Sequence, residues 1–236
     1  MKAMILAAGR GDRMRPLSDH TPKPLLAVGG KPLIAWQIER LVQAGFDDIV
    51  INYAHLGALL EATLGDGQQF NARIRYSPER EALETLGGIV QALPLLGPEP
   101  FVAVSADIYT EFDYARLRAR MEDIGARPDH VVGHFVLTDN PDFHPAGDMG
   151  LRDGLITLDG PRLTYGNIAV FHPRLFMGIV PGTKRPLFPP MYEHVRAGKV
   201  TGEHFRGRWF NIGTPEQLAA LDRVLQEESH VSPEAL

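Results

Sequence analysis

The strongest constraint on the fold lies at the N-terminus, where an apolar run of small residues, Lys2 to Ala8, empties into a loop carrying Gly9 and Gly11. A run of that length and composition suits a buried parallel strand, and glycines just beyond it let backbone N–H groups approach a ligand closely. The pattern then recurs. Pro32 to Ala44 places Leu33, Ile34, Ile38, Leu41 and Val42 on one helical face, opens on proline and stops at Gly45. Ile49 to Ile51 is a β-branched run, Leu56 to Leu64 has helical spacing, and Arg73 to Tyr76 reads as a strand. Gly87 to Leu95 reads as a helix opening on a glycine pair, and Phe101 to Ser105 as the next buried strand, running on to Asp107. Alternation of this kind predicts an α/β fold, a three-layer αβα sandwich whose central sheet is mostly parallel and covered on both faces.

After an amphipathic helix over Asp113 to Asp123 the chain becomes richer in strand signals, at Val131 to Leu137, Arg162 to Val170 and Val200 to Phe205. A smaller part with mixed strands is expected there. Pro186 to Ala197 and Thr214 to Glu228 read as helices, and Ser229 to Leu236 as a frayed tail. No internal repeat or linker divides the chain, so a single domain over residues 1–228 is expected, with halves at 1–112 and 113–228 and a tail at 229–236.

Composition narrows the chemistry. The formal net charge of −5 argues against a general nucleic-acid binder, and the absence of cysteine removes thiol catalysis and cysteine metal sites. The apolar core Ala3 to Ala8 is shorter than the roughly 7 to 15 residues of a secretory h-region. No later stretch approaches the ~20 apolar residues of a membrane span. A soluble, cytoplasmic protein is expected.

Local cations must then serve local anions. Arg10, Arg13, Arg15 and Lys23 crowd the glycine loop, and phosphate is the natural counter-charge. Two familiar phosphate loops do not fit: there is no Gly-Lys-Ser/Thr, and Met14 stands where a dinucleotide fingerprint needs its third glycine. Ligands of parallel sheets bind at the carboxyl edge, where this loop, the Glu84 to Gly88 turn and Asp107 would converge. Asp107, directly after an apolar strand, suits a magnesium ligand, and it equally suits a cap on the following turn. His130 and His134 have helical spacing but fall in a strand-like run, where four residues span roughly 13 Å, too far to share one ion. His194 and His204 stand among Lys199, Arg206 and Arg208, either as a solvated face or as cations for an acidic sugar.

The segment Leu6-Ala7-Ala8-Gly9-x-Gly11-x-Arg13-Met14-x-Pro16, followed by Pro22-Lys23-Pro24-Leu25, resembles the signature of the sugar nucleotidyltransferases, which join a nucleoside triphosphate to a sugar 1-phosphate and release pyrophosphate. The resemblance implies their Rossmann-like nucleotide-diphospho-sugar transferase fold, Mg²⁺ as cofactor, and a monomer or homodimer with no nucleic-acid or membrane partner. It makes residues 1–112 the nucleotide-binding half and 113–228 the sugar-binding half. It implies nucleotide binding by Leu6, Ala7, Ala8, Gly9, Gly11 and Arg13. The Ser77 to Gly88 segment partly matches the family's base loop, which adds Ser77, Glu84, Gly87 and Gly88. Lys23 would hold the sugar phosphate or α-phosphate, Asp148 and Asn167 would assist at the sugar phosphate, and Arg13, Lys23 and Asp107 would carry catalysis. The family's second metal carboxylate lies in a Trp-x-Asp-x-Gly-Thr segment, matched here by Trp209 to Thr214 with Asn211 at the ligand position. Asp107 and Asn211 are therefore the expected metal ligands, with weaker metal binding than two acids would give. Tyr76 to Pro78, Ala92 to Gly97 and Ala197 to His204 resemble the branch that uses UTP and N-acetylmuramate 1-phosphate in cell-wall recycling. A mannose-1-phosphate guanylyltransferase or another hexose-1-phosphate nucleotidyltransferase is the alternative enzyme, and a catalytically weak nucleotide-sugar-binding homologue is the second alternative.

Overall fold

The computed structural model describes residues 1–231. One nine-stranded sheet runs through the molecule, built from β1 (Lys2–Leu6), β2 (Asp48–Tyr53), β3 (Arg73–Pro78), β4 (Phe101–Ser105), β5 (Gly133–Thr138), β6 (Gly150–Arg152), β7 (Leu155–Thr157), β8 (Thr164–Phe171) and β9 (Val200–Phe205). Its spatial order is β3-β2-β1-β4-β8-β5-β9-β7-β6. The first four strands in that order are mutually parallel, with Ala3 opposite Ile49 on one side and Val102 on the other. Beyond β4 the pairing is mixed: β8 runs antiparallel to both β4 and β5, and β9 is parallel to β5. The helices are α1 (Leu33–Gln43), α2 (Gly57–Leu64), α3 (Glu84–Leu96), α4 (Leu117–Ala126), α5 (Met191–Arg196) and α6 (Pro215–Val231).

Alternation along the strands builds the three layers. Ala3, Ile5, Ile49 and Ile51 face α1, α2 and α4 through Ile38, Leu60 and Leu117. Met4, Val50 and Ala103 point to the other face, against Leu86 and Ile89 of α3 and Met191 of α5. With successive side chains on opposite, covered faces, the central runs Ala3–Ile5, Ile49–Ile51 and Phe101–Val104 of these strands are apolar throughout. A third cluster seats α6: Leu221 and Leu225 pack on Val28, Leu33 and Ile212, while Asp222 accepts from the Gly29 N–H at 2.7 Å. That contact brings the C-terminal segment back beside the N-terminal loop. No helix among the described residues is long and apolar enough to cross a membrane.

Several expected boundaries shift. α3 starts at Glu84 rather than at the glycine pair, because Gly87 and Gly88 are consumed by close packing inside the helix. Only Met191–Arg196 of the expected Pro186 to Ala197 helix is helical, since Pro189 and Pro190 cannot donate to a preceding turn. α6 continues through Val231, past Ser229 where the expected tail begins, and residues 232–236 of that tail lie outside those described. A register shift in β8 between Tyr165 and Ile168 leaves Asn167 at φ 56°.

The β5 and β9 histidine and glutamate form a buried polar contact under the mixed part. His134 Nδ1 meets Thr201 Oγ1 at 2.9 Å and its Nε2 meets Glu203 Oε1 at 3.2 Å, with Arg116 paired to the other Glu203 oxygen. Burial opposes ionisation of Glu203, but His134 and Arg116 together outweigh it and hold the carboxyl below the usual carboxylate range.

Candidate active site

The carboxyl ends of β1, β2 and β4 open into one cleft, and a buried polar chain sets its floor. Asn52, near the end of β2, accepts the Ala7 N–H at 3.0 Å and donates to Glu79 Oε1 at 2.6 Å. Glu79 Oε2 accepts the Leu83 N–H at 2.8 Å. One buried amide thus fixes the start of the glycine loop and the start of α3 together. Burial pushes the Glu79 carboxyl above its ordinary range, against the pull of the Leu83 and Asn52 donors. Gly88 makes the chain possible, because a Cβ there would stand 2.6 Å from Asn52 Nδ2 and 2.7 Å from Glu79 Oε1.

The glycine loop itself turns at Gly11, whose φ of 70° favours glycine and whose carbonyl accepts from Ser18 Oγ at 2.8 Å. Among the described residues no acceptor takes the backbone N–H groups of Ala8, Gly9, Arg10 or Gly11, which leaves a row of donors free for an anion. The four loop cations separate into two kinds. Arg10 pairs with Asp12, and Arg15 with Asp12 and Asp19, all well exposed. Acids within the loop therefore supply part of the counter-charge assigned to phosphate in the sequence. Arg13 has no carboxylate within ion-pair reach among the described residues, and its guanidinium lies against Gly213, just after Asn211 and Ile212. Lys23, with only 10% of its side chain exposed, sits on Asp107 Oδ2 at 2.6 Å.

The cleft has two lobes. The first, of about 510 Å³, is lined by the glycine loop, Lys23, Asp107, Glu84 and Asn52. The second, of about 520 Å³, is lined by Phe143, His144, Asp148, Tyr165, Asn167 and Asn211. Leu6, Arg13, Thr85 and Ser105 line both, so the lobes meet at the Arg13 side chain. Each volume lies within the range of small-molecule sites. Two residues lining the cleft are backbone outliers: Glu84, at φ 64°, and Asn167 in the β8 bulge. Non-glycine residues in that region cluster at ligand sites.

Of the residues singled out from the sequence, Leu6, Ala7, Ala8, Gly9, Gly11 and Arg13 line the first lobe together with Lys23, Glu84 and Asp107. Asp148, Asn167 and Asn211 line the second. Ser77, Gly87 and Gly88 line neither. Ser77 is buried in β3 opposite Asn52, and Gly87 packs against the Thr183 carbonyl while its N–H donates to Arg185 O at 3.1 Å. Nor do His194, Lys199, His204, Arg206 and Arg208 reach either lobe. His204 pairs with Asp139, and Arg208 with Glu111 and Glu228. Sequence reasoning passed over Asn52, Thr85 and Ser105, although a polar residue inside the apolar Asp48–Tyr53 strand was a usable signal. Phe143 and His144 carry no periodic signal at all.

Asp107 directly precedes one strand of a two-stranded ribbon, Ile108–Thr110, and Asn211 ends the other, Trp209–Asn211, with the Ile212 N–H donating to the Asp107 carbonyl at 2.8 Å. A carboxylate and an amide oxygen are donors of the right hardness for magnesium, with substrate phosphates left to complete the shell, so this pair fits that cation. Among the described residues no three His, Asp or Glu side chains gather round one point. In chemical terms the site offers amide and cationic donors for several phosphates, two oxygen ligands for a metal, and a second chamber of mixed aromatic and polar walls.

The profile of the nucleotidyl transferase family matches residues 2–142. The chain is 46% identical to the N-acetylmuramate alpha-1-phosphate uridylyltransferase of Neisseria meningitidis serogroup B over 219 residues, covering 91% of this chain and 94% of that protein. It is 35% identical to the Caulobacter vibrioides protein of the same name, covering 95% and 97%. A crystal structure of a protein assigned as a glucose-1-phosphate thymidylyltransferase from Bacillus anthracis superposes with a TM-score of 0.82 at 21% identity, covering 96% of both chains, which shows the shared fold.

Proposed function

The chain belongs to the nucleotidyl transferase family, and we propose that it couples UTP to N-acetylmuramate α-1-phosphate, giving UDP-N-acetylmuramate and pyrophosphate. The observation that carries the reading is the two-lobed cleft joined at Arg13; in this reading the first chamber takes the nucleotide and the second the sugar. The choice of base and sugar rests on the two uridylyltransferase relatives, each matched over nearly its whole length. In this reading residues 1–112 supply the nucleotide lobe and residues 113–228 most of the sugar lobe.

The chemistry follows from charge. The second pKa of a phosphate monoester is near ~6, so the sugar phosphate arrives ionised and attacks the α-phosphorus without a general base. A new P–O bond forms from the sugar phosphate oxygen, the bond to the departing pyrophosphate breaks, and pyrophosphate leaves with the electron pair. The barrier is repulsion between anions and charge growing on the leaving group. Arg13 stands where the lobes meet and neutralises phosphates entering from either side. The free N–H groups of the glycine loop hold the triphosphate. Lys23 and Asp107 neutralise each other in the free protein. With substrates bound, Lys23 turns its charge to the phosphate under attack, which would leave the Asp107 carboxylate available as a metal ligand. Asp107 and Asn211 would hold Mg²⁺, which when bound supplies positive charge against phosphate oxygens. Glu84, exposed on the nucleotide side, accepts from a base N–H, a contact that suits uracil.

The test is product identity. UTP, N-acetylmuramate 1-phosphate and Mg²⁺ are expected to yield UDP-N-acetylmuramate by mass spectrometry with one pyrophosphate per product. Slow hydrolysis of UTP without a sugar nucleotide would contradict the reading.

A further inference from the structure

The proposed substrate bears a carboxylate on its lactyl group, and the sugar lobe holds few cations to meet it. Arg13 and His144 are the basic side chains lining that lobe, and Arg13 is shared with the phosphate lobe. Resting on the substrate reading above, the geometry points to His144 as the residue that selects an acidic amino sugar over its neutral counterpart. His144 sits at the tip of a loop fixed at both ends. At the entry His204 Nε2 meets Asp139 Oδ1 at 2.8 Å, and Asn140 donates to Arg162 O at 2.9 Å while accepting from Thr164 Oγ1 at 2.9 Å. At the exit Asp148 Oδ2 accepts the Tyr165 N–H at 2.8 Å.

Asp148 also orients the ring. Its Oδ1 lies 3.0 Å from His144 Nε2, and an ionised carboxylate only accepts, so Nε2 carries the proton in that contact. Nδ1 has no partner among the described residues. With Nδ1 protonated as well, the ring is a cation held between Asp148 and an incoming carboxylate, and the contact is a charge-assisted hydrogen bond on each side. The adjacent Phe143, 56% exposed at the lobe's edge, supplies an apolar wall. Asp148 is then a positioning residue that holds the ring, rather than a ligand of the sugar phosphate.

UDP-N-acetylmuramate and UDP-N-acetylglucosamine differ by the lactyl ether alone, so their affinities for the intact protein, measured by calorimetry, isolate this contact. The wild-type protein is expected to favour the former by about tenfold or more, the scale of one charged hydrogen bond. His144→Gln is expected to bring the ratio near one while leaving UDP-N-acetylglucosamine affinity unchanged, which also reports that the variant folds. Asp148→Asn is expected to shrink the ratio in the same direction. Retention of the wild-type ratio by His144→Gln, or equal weakening of both ligands, would overturn the assignment. A wild-type ratio near one would overturn it too, while the substrate reading beneath it falls separately, if UTP and N-acetylmuramate 1-phosphate give no UDP-N-acetylmuramate.

Discussion

Lys23 and Asp107 illustrate how one pair of side chains serves both the free and the loaded protein. Each is the other's counter-charge at 2.6 Å, and each is assigned a different partner during turnover. Lys23→Ala is therefore expected to lower kcat by about 10²–10³-fold, the scale of a lost electrostatic contact to a developing charge, with little change in UTP affinity. Equal losses in both quantities would contradict the role. Asn211 offers a neutral oxygen where a second acid would bind metal more tightly. Asn211→Asp is expected to lower the Mg²⁺ concentration that gives half-maximal rate, and an unchanged magnesium dependence would count against Asn211 as a ligand. The loop residues of the first lobe were legible in the sequence because they sit in one contiguous segment, Leu6 to Lys23, whose glycines and cations have few other uses, whereas Asn52, Thr85 and Ser105 reach the lobe from separate segments and were not. His144 and Phe143 were not, since their meaning comes from Asp148 and from a loop whose shape is set by Asn140, Arg162 and Thr164, far apart in sequence.

At the scale of elements, α3 shows why local pattern is an incomplete guide. The pair Gly87-Gly88 reads as the opening of a helix, yet both glycines are buried residues inside it whose missing Cβ atoms let α3 approach Asn52, Glu79 and the Thr183 carbonyl. Gly88→Ala is expected to destabilise the fold by about 1–3 kcal/mol through overpacking. It should also weaken UTP binding, since Asn52 would no longer be free to hold the Ala7 N–H. A thermal melt and a titration with UTP check the two parts separately. The strands of the parallel part were readable as apolar runs because both of their faces are covered. The short strands Gly150–Arg152 and Leu155–Thr157 escaped notice because three residues are too few to carry a periodicity. Between β5 and β9, Glu203 is partly buried but held ionised by His134 and Arg116. A carboxyl with a lowered folded value contributes stability above its ordinary pKa and loses it as pH falls through the lowered value. Glu203→Gln is accordingly expected to cost about 2–4 kcal/mol near neutrality, with the gap from wild type closing in denaturant melts below about pH 4.

Across the whole molecule, a chain of net charge −5 concentrates unpaired positive potential at one sheet edge, where Arg13 and the free loop amides face two chambers. The sheet makes this possible: its parallel strands deliver the glycine loop and Asp107 to one edge, and its mixed strands carry Asp148 and Asn167 to the same edge from the other half of the chain. α6, seated on Val28 and Ile212, holds the Asn211 segment in place beside them. The central claim is that this arrangement transfers a uridylyl group to N-acetylmuramate 1-phosphate. The most direct measurement is pyrophosphate release, with magnesium, across UTP, GTP, dTTP and CTP paired with N-acetylmuramate, N-acetylglucosamine, glucose and mannose 1-phosphates. The account expects UTP with N-acetylmuramate 1-phosphate to exceed every other pair in kcat/KM. Dominant turnover of GTP with mannose 1-phosphate, or nucleotide binding with no pyrophosphate from any pair, would contradict it.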